Sequence, residues 1–301
     1  MKKFPLKSII KRQFLDAKIK LLHPKKAITI RPNTSVRDAI KLMVDQKFGS
    51  VIISANDTEY LGIFTERDVM KGFAEFGHEF LLMPVSKKMS SPLQTQMYYA
   101  SIARAIYSMS VGGFRHLGII ESDSKLCVIS VKDILDYLYK ALTKKVVADE
   151  FSTFFDENSI DLFFLSPVSE LKPKNPFWVL ESATLKEVVT LMSAKKVGCV
   201  MVGANKKKAS GIFTERDFLQ YVSEVGTTVD VVTVGACMTT SPKTALRSST
   251  VSHVLNMMCE SGYRHIPIVD EAEAIQGILS VLDFFDFLAE HIIAELEASQ
   301  K

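Results

Sequence analysis

Gly62-Ile63-Phe64-Thr65-Glu66-Arg67-Asp68 occurs a second time, letter for letter, as Gly211-Ile212-Phe213-Thr214-Glu215-Arg216-Asp217, 149 residues further along a chain of 301. Seven matching residues at one offset ask for a second feature at the same offset, and helical periodicity supplies it. Val36, Ala39, Ile40 and Met43 follow the i, i+3, i+4, i+7 spacing of an amphipathic helix, and Leu185, Val188, Val189 and Met192 repeat it 149 residues later. The pattern recurs as Ile102, Ala105, Ile106 and Met109, and again as Val251, Val254, Leu255 and Met258. The chain therefore holds four copies of one unit, arranged as two pairs.

Each copy reads as extended segment, helix, strand, strand, helix. Ala27 to Ile30 and Phe177 to Leu180 are such extended segments, and Thr184 with Glu187, or Ser35 with Asp38, caps the helix that follows. β-Branched runs such as Ser50 to Ile53 and His265 to Val269 come after Gly49, Gly113, Gly198 and Gly262. Leu61 to Phe64 then runs straight into a second helix. A unit of ~60 residues cannot bury both faces of its own sheet, so the units are expected to pair. The resulting fold class is α/β (α+β), with four βαββα units at 24–82, 83–143, 168–232 and 233–293. A basic extension (1–23) precedes them, a Phe-rich spacer (144–167) separates the pairs, and a short tail (294–301) follows.

Composition removes several alternatives. With 47% hydrophobic and 24% charged residues the chain is not disordered, and no apolar run approaches the ~18 residues that span a bilayer. The net charge of +3 divides unevenly: residues 1–26 carry nine Lys or Arg against Asp16 alone, which leaves the body at −5. A general basic surface for nucleic acid is thus not supported. In the extension, Leu6, Ile10, Phe14, Ala17 and Leu21 share a helical face, which either packs on the body or lies on an anionic membrane or nucleic acid. The spacer, with Phe151, Phe154, Phe155, Phe163 and Phe164, reads as a helix or turn packed on the pairs, or else as a partner-binding segment. Cys127, Cys199, Cys237 and Cys259 form no C-x-x-C pair, so a reducing cytoplasm is expected, with Cys199 a small buried thiol. The six histidines build no triad or metal cluster, and no phosphate-binding glycine loop is present, which points away from an enzyme.

Each unit ends its last strand with a hydroxyl residue followed three positions later by Asp: Thr65/Asp68, Ser130/Asp133, Thr214/Asp217 and Ser280/Asp283. This spacing is a capping box, stabilising a helix by about 0.5–2 kcal/mol. It also places a hydroxyl and a carboxylate at a helix entrance, where free N–H groups and the dipole favour anions. An ionised Asp is acceptor-only and suits a vicinal diol such as that of ribose, and Arg67 and Arg216 add forks suited to phosphate. Gly113-Phe114-Arg115-His116 and Gly262-Tyr263-Arg264-His265 match at the same offset. Their Arg and His either meet phosphates, or pair with an acid and cap the strand. The odd units carry Lys47-Phe48-Gly49 and Lys196-Val197-Gly198 instead, so each pair is internally asymmetric.

On these residues the chain resembles tandem CBS domains (cystathionine β-synthase domains), paired as two Bateman modules over about residues 24–292. The resemblance rests on Gly-Ile-Phe-Thr-x-x-Asp, on the run Gly262 to Val269 and on the fourfold helix pattern. The family binds adenosine ligands such as AMP, ADP, ATP or S-adenosylmethionine in clefts between paired sheets. The resemblance therefore implies that Asp68, Asp133, Asp217 and Asp283 hold ribose, while Thr65, Ser130, Thr214 and Ser280 face phosphates with Arg67, Lys132, Arg216, Arg115, His116, Arg264 and His265. Four units in one chain are similar in layout to the gamma subunit of AMP-activated protein kinase, which implies a pseudo-symmetric disk. The expectation is a cytoplasmic, non-catalytic sensor with no required cofactor, signalling to an unidentified protein, with self-association left open. The alternative is a scaffold with ligand-free clefts. Three departures stand out: Cys127 replaces the usual Gly, Gly118 stands where the fourth unit has Pro267, and Leu282 takes the place of Arg67, Lys132 and Arg216.

Overall fold

The computed structural model describes residues 16–121, 125–143, 164–205, 208–225 and 229–298. Leu6, Ile10 and Phe14 of the extension, and the spacer through residue 163, lie outside the described residues. After β1 (Lys25–Lys26), the first unit comprises β2 (Thr29–Ile30), α1 (Val36–Asp45), β3 (Ser50–Ser54), β4 (Tyr60–Thr65) and α2 (Glu66–Phe76). The second comprises β5 (Thr95–Met97), α3 (Ile102–Gly112), β6 (His116–Ile120), β7 (Leu126–Ser130) and α4 (Val131–Thr143). The third comprises β8 (Trp178–Val179), α5 (Leu185–Lys195), β9 (Cys199–Val202), β10 (Gly211–Thr214) and α6 (Glu215–Glu224). After β11 (Thr239–Thr240), the fourth comprises β12 (Ala245–Leu246), α7 (Val251–Glu260), β13 (His265–Val269), β14 (Ile275–Ser280) and α8 (Val281–Ala298). In every unit the first strand is parallel to the second and the last two are antiparallel, as a helical crossover followed by a hairpin requires.

The linkers do not stay with their own units. β1, which leads into the first unit, pairs with β7 of the second, and β11, which leads into the fourth, pairs with β10 of the third. Single bridges complete the exchange, Ser90 with Ile63 and Lys174 with Ile278. Each linker thus seals the sheet of its partner unit and holds the two together.

All sixteen apolar positions of the fourfold helix pattern are 3% exposed or less. Their partners, however, are not within the sequential pairs. One core joins α1 and α2 of the first unit to α5 and α6 of the third. A second joins α3 and α4 of the second unit to α7 and α8 of the fourth. The sequential pairs meet through their sheets in two small clusters, Ile52, Ile63 and Leu126 in one and Cys199, Met201, Ile212 and Ile278 in the other. Sheet contacts along one direction and helix contacts along the other close four units into a ring. A helix pair carries a wide apolar stripe and needs another such stripe, whereas the short strands offer only a narrow face.

The end of the N-terminal extension packs on the body. Ala17, Ile19 and Leu22 enter the second core. Lys18 is extended, and Ile19–Leu22 forms a single 3-10 turn, so Ile19 is buried where a continuous helix would have turned it away. Among the described residues no helix is long and apolar enough to cross a membrane.

Phe73 of α2 meets Phe218 of α6 edge to face, with ring centroids 5.1 Å apart, across the boundary between the first and third units. Phe218→Ala is expected to lower the unfolding free energy by about 3–5 kcal/mol, as large-to-small core substitutions do. Because the core is shared, urea denaturation followed by circular dichroism should still give one transition. Separate transitions for the two halves of the chain would contradict the shared core.

Candidate functional site

The four hydroxyl/Asp pairs are capping boxes, and the geometry is the same in each. One carboxylate oxygen, Oδ2, accepts the backbone N–H and the side-chain hydroxyl of the residue three before it. For Thr65 and Asp68 the distances are 2.9 and 2.7 Å, and for Ser130 and Asp133 they are 2.8 and 2.6 Å. For Thr214 and Asp217 both are 2.8 Å, and for Ser280 and Asp283 they are 2.6 and 2.7 Å. The cap therefore consumes the hydroxyl and one oxygen and leaves Oδ1 for other work. Burial raises the carboxyl groups of Asp68 and Asp217 above the ordinary range, and the cap hydrogen bonds oppose that rise.

What meets Oδ1 comes from the exchanged linkers. Thr239 donates its hydroxyl to Asp217 at 3.2 Å, Lys174 reaches Asp283 at 2.6 Å, and Lys25 lies 3.8 Å from Asp133. A glycine in the adjoining strand permits this approach. A Cβ on Gly211 would sit 2.8 Å from the Thr239 carbonyl, and one on Gly277 would sit 2.6 Å from Pro173. In the second unit Cys127 stands at this strand position, opposite Lys26, and there the lysine contact is the longer one.

Two clefts open between the sheets of the third and fourth units. The larger, about 420 Å³, gathers Thr214, Arg216, Asp217, Arg264, His265 and Arg115. That volume falls within the ~300–1,000 Å³ usual for small-molecule sites. The smaller, about 160 Å³, holds Asp283 with Lys174, Arg67, Arg115 and Lys196. Ser280 and Leu282 line both. The position of Arg67 and Arg216 is used differently in the two even units. Lys132 turns to Asp136 on its own helix at 2.6 Å and to the Cys259 carbonyl, and Leu282 supplies only an apolar wall.

Arg115 and Arg264 also answer the open alternative about their partners, because both pair with acids, and the acids are buried. Arg115 of the second unit binds Glu215 of the third at 2.9 Å, and Arg264 of the fourth binds Glu66 of the first. Arg67 joins the first pair at 3.5 Å and Arg216 the second at 3.9 Å. Glu66 and Glu215 are the first residues of α2 and α6, and their side chains are 6% and 7% exposed. Burial alone would push the Glu215 carboxyl up, but Arg115 and Arg67 hold it below the usual range. Gly49 and Gly198 make room: a Cβ there would lie 3.1 Å from the Arg264 guanidinium and 3.0 Å from the His265 ring. The Lys-x-Gly of odd units and the Arg-His of even units are thus two halves of one fit.

Sequence reasoning did not nominate Glu66, Glu215, Lys25 or Lys174. The glutamates were visible as repeated residues for which a capping box has no use. The lysines were visible as Pro24-Lys25 and Pro173-Lys174 at the repeat offset. Among the described residues no group of three or more His, Cys, Asp or Glu is placed to hold a metal ion.

Four strand-and-helix units, exchanging linkers within pairs and packing helices between pairs, with a capped aspartate at each hairpin end, define a tandem array of paired modules. The CBS domain pattern matches residues 22–75, 168–224 and 234–290, more than half of the sequence, and the chain belongs to the CBS domain family. The matched segments leave out the second unit, whose elements nevertheless repeat those of the other three. The chain is 24% identical over 290 residues to the Arabidopsis thaliana CBS domain-containing protein CBSCBSPB1, covering 88% of this chain and 52% of that protein. It is 25% identical over 279 residues to the meiotically up-regulated gene 70 protein of Schizosaccharomyces pombe, covering 90% of this chain and 34% of that one. The chain therefore spans about half, or less, of the length of these relatives. Among solved structures, protein MJ1225 of Methanocaldococcus jannaschii, presented as an archaeal homologue of γ-AMPK, superposes with a TM-score of 0.73 at 18% identity. It covers 90% of this chain and 99% of that one, and shares its fold.

Two measurements check the central geometry. In a double-mutant cycle, Arg115→Ala and Glu215→Ala should each destabilise the chain, and their coupling energy from urea unfolding should exceed about 1 kcal/mol, as expected for residues in one ion-pair network. An additive result would mean that the pair contributes nothing across the boundary between the second and third units. The second measurement uses pH. Loss of solvent, and after it the charges of Arg115 and Arg264, lowers His116 to about 3; His265, where Glu215 opposes, falls to about 4. Both are neutral in the folded state at pH 6, whereas an unfolded His with pKa near ~6.5 takes up a proton there. Stability should fall as pH drops from about 6.5 toward 4, and His265→Gln should flatten that slope.

Proposed function

We propose that the protein is a non-catalytic regulatory chain that takes a phosphorylated adenosine ligand in the cleft between its third and fourth units and signals occupancy to a partner protein. One observation carries this reading: an aspartate with a capped oxygen and a second oxygen facing the cleft, Asp217, shares a 420 Å³ cavity with Arg115, Arg216 and Arg264. In this reading Oδ1 of Asp217 accepts from the ribose hydroxyls, with the Thr239 hydroxyl beside it. Ile212, Pro242 and Tyr263 offer apolar surface to the base, and the three guanidinium groups face the phosphate.

The same arginines supply a route for the signal. Arg115 and Arg264 are held by Glu215 and Glu66, which belong to units diagonally opposite. A phosphate in the cleft competes with those carboxylates for the guanidinium groups, and so changes the contact that ties the two pairs together. The shift can be no larger than the ligand's differential affinity for the two arrangements. The four cysteines are free, in keeping with a cytoplasmic setting for this role.

Nucleotide-stripped protein should be titrated calorimetrically, and followed by thermal shift, with AMP, ADP, ATP, S-adenosylmethionine and cyclic di-AMP. A ligand at a hundred times its Kd should stabilise the fold by about 2.7 kcal/mol per site. Asp217→Asn, which can keep the cap, should weaken binding about tenfold or more, since hydrogen bonds to a charged acceptor contribute about 1.5–3 kcal/mol. A flat response to all five ligands would instead support a scaffold whose clefts stay empty.

A further inference from the structure

One structural position recurs in all four linkers. It is the residue bridged to the strand two places before the motif hydroxyl: Lys25 opposite Val128, Ser90 opposite Ile63, Lys174 opposite Ile278, and Thr239 opposite Ile212. Three of them reach Oδ1 of a motif carboxylate, Lys25 that of Asp133, Lys174 that of Asp283 and Thr239 that of Asp217, and Ser90 holds the equivalent register in the unit of Asp68. The occupants alternate between cation and hydroxyl along the chain. We propose that this linker position selects which motif aspartates accept a ribose: Lys25 and Lys174 close Asp133 and Asp283 to nucleosides, while Ser90 and Thr239 leave Asp68 and Asp217 open to them.

Acceptor supply decides which aspartates are accessible. Each motif Asp commits Oδ2 to its helix cap, so a ribose diol has only Oδ1 to bind. The Asp283 side chain is only 8% exposed, and the ammonium of Lys174, whose own side chain is 68% exposed, sits 2.6 Å from its Oδ1. A ribose hydroxyl entering there must replace an ammonium–carboxylate pair with a hydrogen bond from an uncharged donor, which is the weaker of the two. Two backbone hydrogen bonds between Lys174 and Ile278, at 3.0 and 2.9 Å, keep the lysine within reach of that carboxylate. At Asp217 the donor is the uncharged Thr239 hydroxyl, at a longer 3.2 Å, and a ligand can share or replace it without moving a cation. The cavities agree with the chemistry, at about 420 Å³ around Asp217 against about 160 Å³ around Asp283. Lys25, at 3.8 Å from Asp133, is the looser of the two closures.

This selection rests on the adenosine reading above, so its test must separate the two. AMP and, separately, S-adenosylmethionine serve as probes of the full chain, by calorimetric stoichiometry and by crystal structures of the complexes. The wild type should bind no more than two molecules, at Asp217 and Asp68. Lys174→Thr should add one at Asp283, and Lys174→Met, which keeps the apolar stem but loses the charge, should do the same. Thr239→Lys should weaken binding at Asp217 at least tenfold while the thermal stability of the unliganded chain shows that it is folded. Ligand seen at Asp283 in the wild type, no added site in either Lys174 variant, or unchanged affinity in Thr239→Lys would overturn the selection and leave the adenosine reading standing. Neither probe bound by the wild type or by any variant would overturn the adenosine reading, and the selection with it.

Discussion

Two crossed ion pairs, Arg115 with Glu215 and Arg264 with Glu66, sit where all four units meet. Sheets join the first unit to the second and the third to the fourth; helices join the first to the third and the second to the fourth. These pairs join the remaining diagonals, first to fourth and second to third. Buried charge is costly unless it is paired, so a carboxylate at the first turn of α2 or α6 fixes where the facing strand entrance must lie. The glycines at 49 and 198, the Arg-His at each even strand and the capped second helices all serve that meeting.

The same centre is where the clefts end. Arg115 lines both cavities of the second pair although it belongs to the first. A group that enters either cavity thus meets a residue whose counter-charge holds the opposite pair in place. Arg115 and Arg264 thus line the larger cavity and tie diagonal units together at once. Around this centre the four motif aspartates are alike in their caps and differ in their linkers. The cap is dictated locally by residues three apart, whereas the linker residue arrives from elsewhere in the sequence and can differ without disturbing the helix.

Much of the architecture was legible in the residues. The repeated heptapeptide and the fourfold helix spacing gave four units, and every apolar position in that spacing is buried. The capping boxes at Thr184 and at the four motif hydroxyls form as their spacing demands. What spacing left open was whether the motif Asp caps a helix or faces a ligand. The caps form on Oδ2 in every unit and leave Oδ1 outside them. Lys132 shows the limit of reading by position: it occupies the place of Arg67 and Arg216 but is drawn to Asp136, one turn along its own helix.

The sequence by itself determined the unit: its strands and helices, its caps, its apolar faces and its fourfold repetition. All of these depend on residues within a few turns of one another. Tertiary structure alone decided which unit each face meets, that Glu66 and Glu215 are buried between arginines of diagonal units, and that Lys25 and Lys174 reach the Asp of their partner units. Those contacts join residues roughly a hundred or more positions apart, Lys174 and Asp283 or Arg115 and Glu215, and no periodicity links such distant positions. They exist because apolar helix stripes too wide for one unit to bury pull the four units into a ring, and the ring then chooses which charges face each other.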